Sequence, residues 1–286
     1  MNNKEFKSYF KTVAGNEGNK CHYPTRLDSY GCGCSNNCSY CYAKSLLSFR
    51  KFWDPLNPAI ADINKVIRTI DKKLKKGDIV RLGGMTDCFQ PIEKSAKVTY
   101  QVIEQLNKRD IGYLIVTKCA LVADNEYIKI MRKDLAHIQI SITCTDDDFC
   151  KQYEHSSSPS ERIKAIEKLQ REGFDVQVRL SPFIPQFLKQ GHLDMNVINN
   201  IACDKILIEF LRVNSWIKKW FDIDYSEYTL KESGYMHMPL ETKLNYIKLI
   251  NGFKEISVCE DESNAYDYWQ TNFNHNPNDC CNLLKK

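Results

Sequence analysis

The chain has 286 residues, 43% apolar and 27% charged. That describes a globular protein with material for a sizeable core, and one α/β barrel of this length is routine. Forty basic against 36 acidic residues leave a net charge of +4, well short of a dedicated nucleic-acid binder, whose pI usually exceeds ~9. A nucleotide or a transient RNA contact is still compatible with that balance.

Between Arg26 and Cys259 short apolar strands alternate with helical patterns, as βα units around a parallel sheet do. The segment before Cys32 reads as a first strand. Residues 59–76 place Ile60, Ile63, Ile67, Ile70 and Leu74 on one helical stripe that Gly77 would cap. Strands are expected at about 78–83 and 113–118, a helix from Pro91, and a short helix over Glu126–Lys133. A strand at 137–143 precedes a helix with a clear start: Ser158 as N-cap, Pro159 at the first position, Glu161 closing a capping box. Gly173 ends that helix before a strand at 175–181, and strands at 205–211 and 255–260 flank a helix at about 240–253. Seven strands result, with no internal repeat or low-complexity linker. The chain is expected to be one domain over residues 1–286, with a barrel core at about 26–260 and a C-terminal tail at 262–286.

Two of these strands alternate. Ile138, Ile140 and Ile142 oppose His137, Gln139, Ser141 and Thr143, while Val176, Val178 and Leu180 oppose Gln177, Arg179 and Ser181. Successive strand residues face opposite ways, and covering helices claim the apolar set. The polar set then points into the barrel, where packed barrels carry Val, Ile and Leu. Such an interior suits a large polar ligand. An antiparallel sheet with one wet face would show the same alternation.

Thirteen cysteines are the outlier of the composition. The charged N-terminal stretch has no apolar signal-peptide core, and no run approaches the ~18 apolar residues of a membrane span. An odd cysteine count without export signals points to a reducing, cytoplasmic compartment and thiols held for a metal. Cys34, Cys38 and Cys41 stand in a CxxxCxxC loop. Three thiolates on one tight loop can ligate three irons of a [4Fe–4S] cube, whereas a filled cube takes four. Zinc is the competing occupant, but structural zinc sites take two ligand pairs. A second pair would have to come from Cys259, His275, Cys280 or Cys281.

That loop, with Tyr40 before its last cysteine, resembles the radical S-adenosylmethionine superfamily. The resemblance implies a partial (β/α)6 barrel and S-adenosylmethionine chelated to the fourth iron. Reductive cleavage of the sulfonium would yield a 5′-deoxyadenosyl radical, with a low-potential donor of flavodoxin or ferredoxin type as partner. The segments Gly83–Lys94, Ile115–Cys119, Gln139–Thr143 and Glu161–Pro185 are similar to the spore photoproduct lyase-like branch. The similarity implies that Gly83 and Gly84 pack against the methionine end of the cofactor and that Lys118 pairs with its carboxylate. It also puts Ser141 nearby and Tyr40 by the adenine, with Thr86 and Arg179 counted as cofactor-binding. Members that repair thymine photoproducts carry a hydrogen-donating cysteine immediately before a threonine. Here Met85 precedes Thr86, and the nearest thiol is Cys88.

Arg81, Arg179, Glu209 and Cys259 fall at inward-facing or strand-end positions. Arginine reads phosphate or carboxylate through a planar fork. Glu209 or Asp261 can accept from the ring N–H and amino group of a guanine-like base, and Arg212 and Asn214 extend the same rim. Together these residues suit a small nucleoside or nucleotide better than a duplex, which needs a basic phosphate-tracking face; no membrane partner and no stable nucleic-acid complex are expected. Trp216, Trp220, Tyr225, Tyr228 and Tyr235 could stack on a base or pack an insertion onto the barrel. Tail residues Asn274, His275, Cys280 and Cys281 could lie over the opening, stay disordered, or hold a second metal. Cys259, Cys88 and Glu209 are the candidate catalytic groups.

Within the branch, compact enzymes that release queuine from queuosine nucleosides or nucleotides are similar in size and take a deazaguanine nucleoside. Queuine release by a radical lyase is therefore the expected function. A DNA photoproduct repair enzyme and a non-enzymatic cysteine-rich metal-binding protein are the alternatives.

Overall fold

The computed structural model describes residues 6–260 and 262–283. Eight strands form its main sheet: β1 (Phe10–Thr12), β2 (Thr25–Leu27), β3 (Ile79–Leu82), β4 (Gly112–Thr117), β5 (Ala136–Ile142), β6 (Asp175–Phe183), β7 (Lys205–Phe210) and β8 (Glu255–Val258). Their order in space is their order in the chain. All neighbours pair in parallel except β1, which runs antiparallel to β2. This is the α/β architecture expected of a partial barrel, and the parallel pairing removes the antiparallel reading of the alternating strands. The principal helices are α1 (Tyr42–Phe49), α2 (Ile63–Lys73), α3 (Val98–Lys108), α4 (Pro159–Arg171), α5 (Leu240–Ile247) and α6 (Ser263–Asn272). None of the helices among the described residues is long and apolar enough to cross a membrane.

Registry turns the alternation into layers. His137 stands beside Asp175, Gln139 beside Gln177, and Ser141 beside Arg179. His137 Nδ1 lies 2.6 Å from Asp175, whose other oxygen takes Lys205 Nζ at 2.8 Å, and Gln139 Nε2 donates to Gln177 Oε1 at 2.7 Å. The opposite set, Ile138, Ile140, Ile142, Val176, Val178 and Leu180, is enclosed beneath the helices. On α4 the buried stripe is Arg162, Ala165, Ile166 and Leu169. Its start is the expected capping box, with Ser158 N donating to Glu161 Oε2 at 2.7 Å and Glu161 N to Ser158 Oγ at 3.3 Å.

Boundaries shift where caps compete with periodicity. The helix expected over 59–76 begins only at Ile63, because the Asp62 carboxylate caps Asn64 N and Lys65 N at 3.0 and 3.3 Å. Ala59–Ile60 instead pairs antiparallel with Tyr30–Gly31. The helix expected from Pro91 is two pieces, Glu93–Ala96 and α3, joined at Lys97 with φ +52°. The helix expected to Phe253 stops at Ile247.

Among the described residues the tail borders the barrel cavity through Tyr266, Gln270 and Cys280. After α6 it returns to the barrel floor, where Cys280 and Cys281 pack with Tyr23, Leu114 and Leu207. Gln177 Nε2 donates to the Cys281 carbonyl at 3.0 Å, and His22 N to that of Asn278 at 2.8 Å. The aromatic segment packs as an insertion: Trp216 and Trp220 pair at 5.3 Å, Tyr228 is buried, and Lys44 of α1 sits 5.0 Å from the Trp220 ring. Asn214 does not project from the rim. It caps Trp216 N at 3.1 Å and donates to Ser45 at 3.0 Å.

Candidate active site

The cysteine loop follows Tyr30–Gly31 and ends as the start of α1. Two turns shape it, with Asn37 N donating to Cys34 O at 3.0 Å and Cys41 N to Cys38 O at 3.2 Å. Asn37 sits at φ +38°, a left-handed conformation that asparagine tolerates. Neighbouring elements hold the loop from outside: Ser35 N donates to Gln90 Oε1 at 2.8 Å, Asn36 Nδ2 to Asp87 Oδ2 at 3.0 Å, and Ser39 N to Tyr153 O at 3.0 Å. The three thiols border one cleft at the carboxyl ends of β3 and β4. Burial pushes all three up, Cys34 to about 12. Bare thiols here keep their protons, so metal binding has to displace them.

Gly83, Gly84, Lys118 and Ser141 border both this cleft and the barrel cavity; Thr86 borders the cleft, Tyr40 and Arg179 the cavity. The β3 end is wrapped around Asp28, which accepts Gly84 N at 2.7 Å, Met85 N at 2.8 Å and Thr86 N at 3.4 Å. Thr86 Oγ1 is engaged with the Tyr30 carbonyl at 2.6 Å. Lys118 Nζ lies 5.6 Å from the Tyr40 ring and 3.2 Å from Ser181 O. Burial lowers its pKa, partly offset by Cys38.

The cavity behind the loop holds about 260 Å³. Arg179 bridges its wall, donating to Gln139 Oε1 at 2.6 Å and to the Glu209 carboxylate, which also accepts Ser181 Oγ at 2.8 Å. Burial alone would raise the Glu209 carboxyl, but Arg179 and Arg212 hold it below its ordinary value. Cys259, anchored by its N–H to Ile208 O at 2.8 Å, completes the wall with Cys21 and Cys280.

The donor set fits the cofactors that the loop suggests. Three cysteines share one cleft; among the described residues the buried Tyr40 hydroxyl and Arg81 Nε have no hydrogen-bond partner; and a Cβ on Gly83 would come within 2.6 Å of the Val116 carbonyl. Among the described residues no three His, Cys, Asp or Glu side chains converge on a single-ion site. Of the residues offered for a second zinc pair, Cys280 and Cys281 meet with their sulfurs 4.0 Å apart and Cys259 borders the cavity, but among the described residues they build no metal-binding group of three, and the His275 N–H is tied to Asn282.

Two expected residues lie elsewhere. Cys88 is fully enclosed in the core and outside the cavity lining, because Thr99 Oγ1 takes its carbonyl at 2.6 Å and packing surrounds its sulfur. Asp261 lies outside the described residues. Asp87 and Arg162 were not singled out in the sequence. The Asp87 carboxylate accepts Thr117 Oγ1 and Lys118 N, each at 2.7 Å, beside its contact to Asn36. Arg162, with no exposure, meets Glu154 and donates to the Ser141 carbonyl at 3.0 Å. A charged residue on an apolar helical stripe was its available signal.

The fold is shared with spore photoproduct lyase complexed with dinucleoside spore photoproduct, at a TM-score of 0.62 and 14% identity over 85% of this chain and 75% of that one. An uncharacterized protein of Methanocaldococcus jannaschii is 27% identical over 164 residues, 54% of this chain and 59% of that protein, so the match spans less than two thirds of that relative. An uncharacterized protein of Acidianus two-tailed virus is 21% identical over 79% of each chain. The model of the Radical SAM superfamily matches residues 29–189, from the strand before the cysteine loop to the end of β6 and just beyond. With more than half of its length in that match, the chain belongs to the radical SAM superfamily, enzymes that use a [4Fe–4S] cluster and S-adenosylmethionine.

Proposed function

We propose that this enzyme cleaves a modified nucleoside or nucleotide, releasing queuine from queuosine or its 5′-phosphate. The observation that carries the reading is the polar cavity behind the cysteine loop, where Arg179, Glu209 and Ser181 form a connected wall. A carboxylate held ionised can accept from the N–H and amino edge of a guanine-like base, and Arg81 has an unused donor for a phosphate or hydroxyl oxygen. The solved relative of like fold holds a dinucleoside, the same chemical class.

In this reading Cys34, Cys38 and Cys41 hold the cluster. Gly83 and Gly84 offer backbone to the methionine end of S-adenosylmethionine, and Lys118 pairs with its carboxylate. Ser141, Thr86 and Arg179 bound the same space, with Tyr40 beside the adenine. When bound, the cofactors supply one-electron cleavage of the sulfonium and thereby hydrogen abstraction from the substrate. The chain's own part is to orient the base through Glu209, exclude water and present Cys259 on the cavity wall. Cys88 is buried and outside the lining of that space. The barrel and its returning tail act as one domain, and a low-potential one-electron donor is the partner.

Anaerobic reconstitution tests the reading in two stages. The unaltered chain should bind about four irons and cleave S-adenosylmethionine, and Cys38→Ala should lose both. Queuosine, its 5′-phosphate and a DNA photoproduct are then incubated separately and followed by mass spectrometry. Free queuine from either of the first two supports the substrate, and turnover of the photoproduct alone replaces it with the repair reading.

A further inference from the structure

The three most exposed large apolar side chains among the described residues are close in sequence: Phe49 at 72%, Phe52 at 61% and Leu56 at 87%. Leu46, one turn back on α1, is 43% exposed. These four belong to the segment that leaves the cysteine loop and comes back to it. Asp54 N donates to the Cys32 carbonyl at 2.8 Å, and Trp53 Nε1 to Asn37 Oδ1 at 3.4 Å. A Cβ on Gly33 would meet the Asp54 carbonyl at 1.9 Å, so the returning backbone lies directly against the loop. Trp53 itself borders the cleft that the three cluster cysteines share.

Hydrogen bonds fix the turn that presents them. Phe52 N donates to Leu47 O and Lys51 N to Ser48 O, each at 2.9 Å, the paired bonds of a Schellman helix end. Its left-handed position, φ +58°, is held by Lys51 where glycine is usual. Strained conformations of this kind cluster at functional sites, and this one keeps a cation next to Phe52 in the chain. Arg50 and Lys51 are exposed, as are Lys7 and Lys11. Lys7, Lys11 and Arg50 border one hollow with Leu46 and Phe52, and its lining carries five Lys or Arg side chains against three Glu. Within residues 46–56 the only acid is Asp54, whose carboxylate accepts Asn57 N at 3.2 Å.

We propose that this apolar patch and its basic rim are the docking surface for an acidic flavoprotein of flavodoxin type, which supplies the electron. This rests on the radical reading above and deepens it by giving the partner a place on the chain. A partner seated on Phe49, Phe52 and Leu56 stands against the outside of the cysteine loop. None of the three borders the barrel cavity, which stays open to the substrate. The donor gives up one electron as the group held by Cys34, Cys38 and Cys41 takes one; no bond forms or breaks and no proton moves. Exposed apolar clusters ringed by charge mark interaction sites. The aromatic centre suits the apolar dimethylbenzene edge of a flavin and gives affinity by shedding water, while a rim of one sign steers an oppositely charged partner and orients it. A few side chains suffice, because electron-transfer encounters bury below roughly 1,200 Å².

Two variants of the full, reconstituted chain test the surface: Phe49→Ser combined with Phe52→Ser, and Arg50→Glu. All three positions lie outside the linings of the cleft and the cavity. The first readout is binding. A bacterial flavodoxin titrated calorimetrically into the unaltered chain should bind more weakly as salt rises. The double phenylalanine variant should lose about tenfold in affinity, and Arg50→Glu should lose much of the salt dependence. The second readout is the reductant used for S-adenosylmethionine cleavage. With reduced flavodoxin below saturation both variants should be several-fold slower than the unaltered chain. With dithionite, a small ion that needs no docking, they should match it. No flavodoxin binding by the unaltered chain, unchanged affinity in both variants, or equal losses with the two reductants overturns the proposal. So does a ferredoxin that binds this patch where flavodoxin does not, or a dimer in sedimentation that the double variant dissociates, which assigns the patch to a second copy. If the unaltered chain cleaves no S-adenosylmethionine even with dithionite, the radical reading itself has failed, and the titrations still report on the patch.

Discussion

The Asn36 amide, inside the cysteine loop, donates to the Asp87 carboxylate beyond β3 at 3.0 Å. The same carboxylate accepts Thr117 Oγ1, Lys118 N and Phe89 N at 2.7, 2.7 and 2.9 Å. One buried side chain therefore fixes the loop, the end of β4 and the turn after β3 relative to each other. Asp87→Ala strips several enclosed donors of their acceptor, each worth roughly 1–3 kcal/mol. The expected outcome is a loss of about 3 kcal/mol in chemical denaturation, together with reduced iron per chain after reconstitution. Full iron loading in this variant would show that the loop holds its shape without Asp87.

Arg162 and Glu154 form an ion pair with neither side chain exposed. Arg162 also donates to the Ser157 carbonyl at 2.7 Å and the Ser141 carbonyl at 3.0 Å. Removing one partner leaves an unpaired buried charge, which costs about 3–5 kcal/mol, whereas replacing both by apolar groups can be neutral. Arg162→Met alone should therefore be severely destabilising, and Arg162→Met with Glu154→Leu should recover much of the loss. Thermal denaturation of the two variants decides it. A double variant no more stable than the single one would mean that the carbonyl contacts, not the charge, dominate.

Glu209 gives a pH signature. Burial would raise its carboxyl, but the two arginines hold it below the ordinary value of 4.5. A depressed folded pKa means the unfolded chain binds the proton more readily. The contribution is therefore fully present above the ordinary value and is lost as pH falls through the folded one. Glu209→Gln should cost about 2 kcal/mol near neutrality, the scale of a hydrogen bond to a charged group. Its stability should also fall less steeply than the unaltered chain's over the acid limb. Parallel acid limbs in urea titrations would show that Arg179 does not hold the carboxylate.

The pleat made the barrel interior legible. In β5, and in β6 as far as Ser181, polar and apolar residues alternate strictly, so the inward set could be read as Gln139, Ser141, Gln177 and Arg179 from the sequence. The capping box at Ser158 was equally local and stood where expected. The cysteine loop was legible because its chemistry depends on spacing within eight residues. What depended on distant partners was not: β1 is three residues whose only reason to be a strand is the edge of β2. The tail's return to the barrel floor leaves no periodic mark, since Cys280 and Cys281 are adjacent and carry no pattern. Cys88 looked available because it is close to Thr86 in sequence, yet the turn after β3 directs it into the core.

The two glycines at the end of β3 separate backbone need from side-chain crowding. Gly83 has φ +86°, and a Cβ there would stand 2.6 Å from the Val116 carbonyl and 3.3 Å from that of Thr86. Neither backbone atom can retreat without moving β4 or the Asp28-bound turn. Strain at such a position costs of order 1–3 kcal/mol before any clash, so Gly83→Ala should lose about 3 kcal/mol. Gly84 has no such conformation; its Cβ would meet Arg26 Cδ at 2.2 Å. That side chain can swing away, giving up a 3.8 Å contact to Asp28. Asp28 keeps its three backbone N–H donors when that long contact is given up, so the loss is small. Gly84→Ala should therefore unfold near the unaltered midpoint in urea, while Gly83→Ala unfolds well below it. Equal midpoints would mean that the turn after β3 adjusts freely, contrary to the close approach of β4 that fixes Gly83.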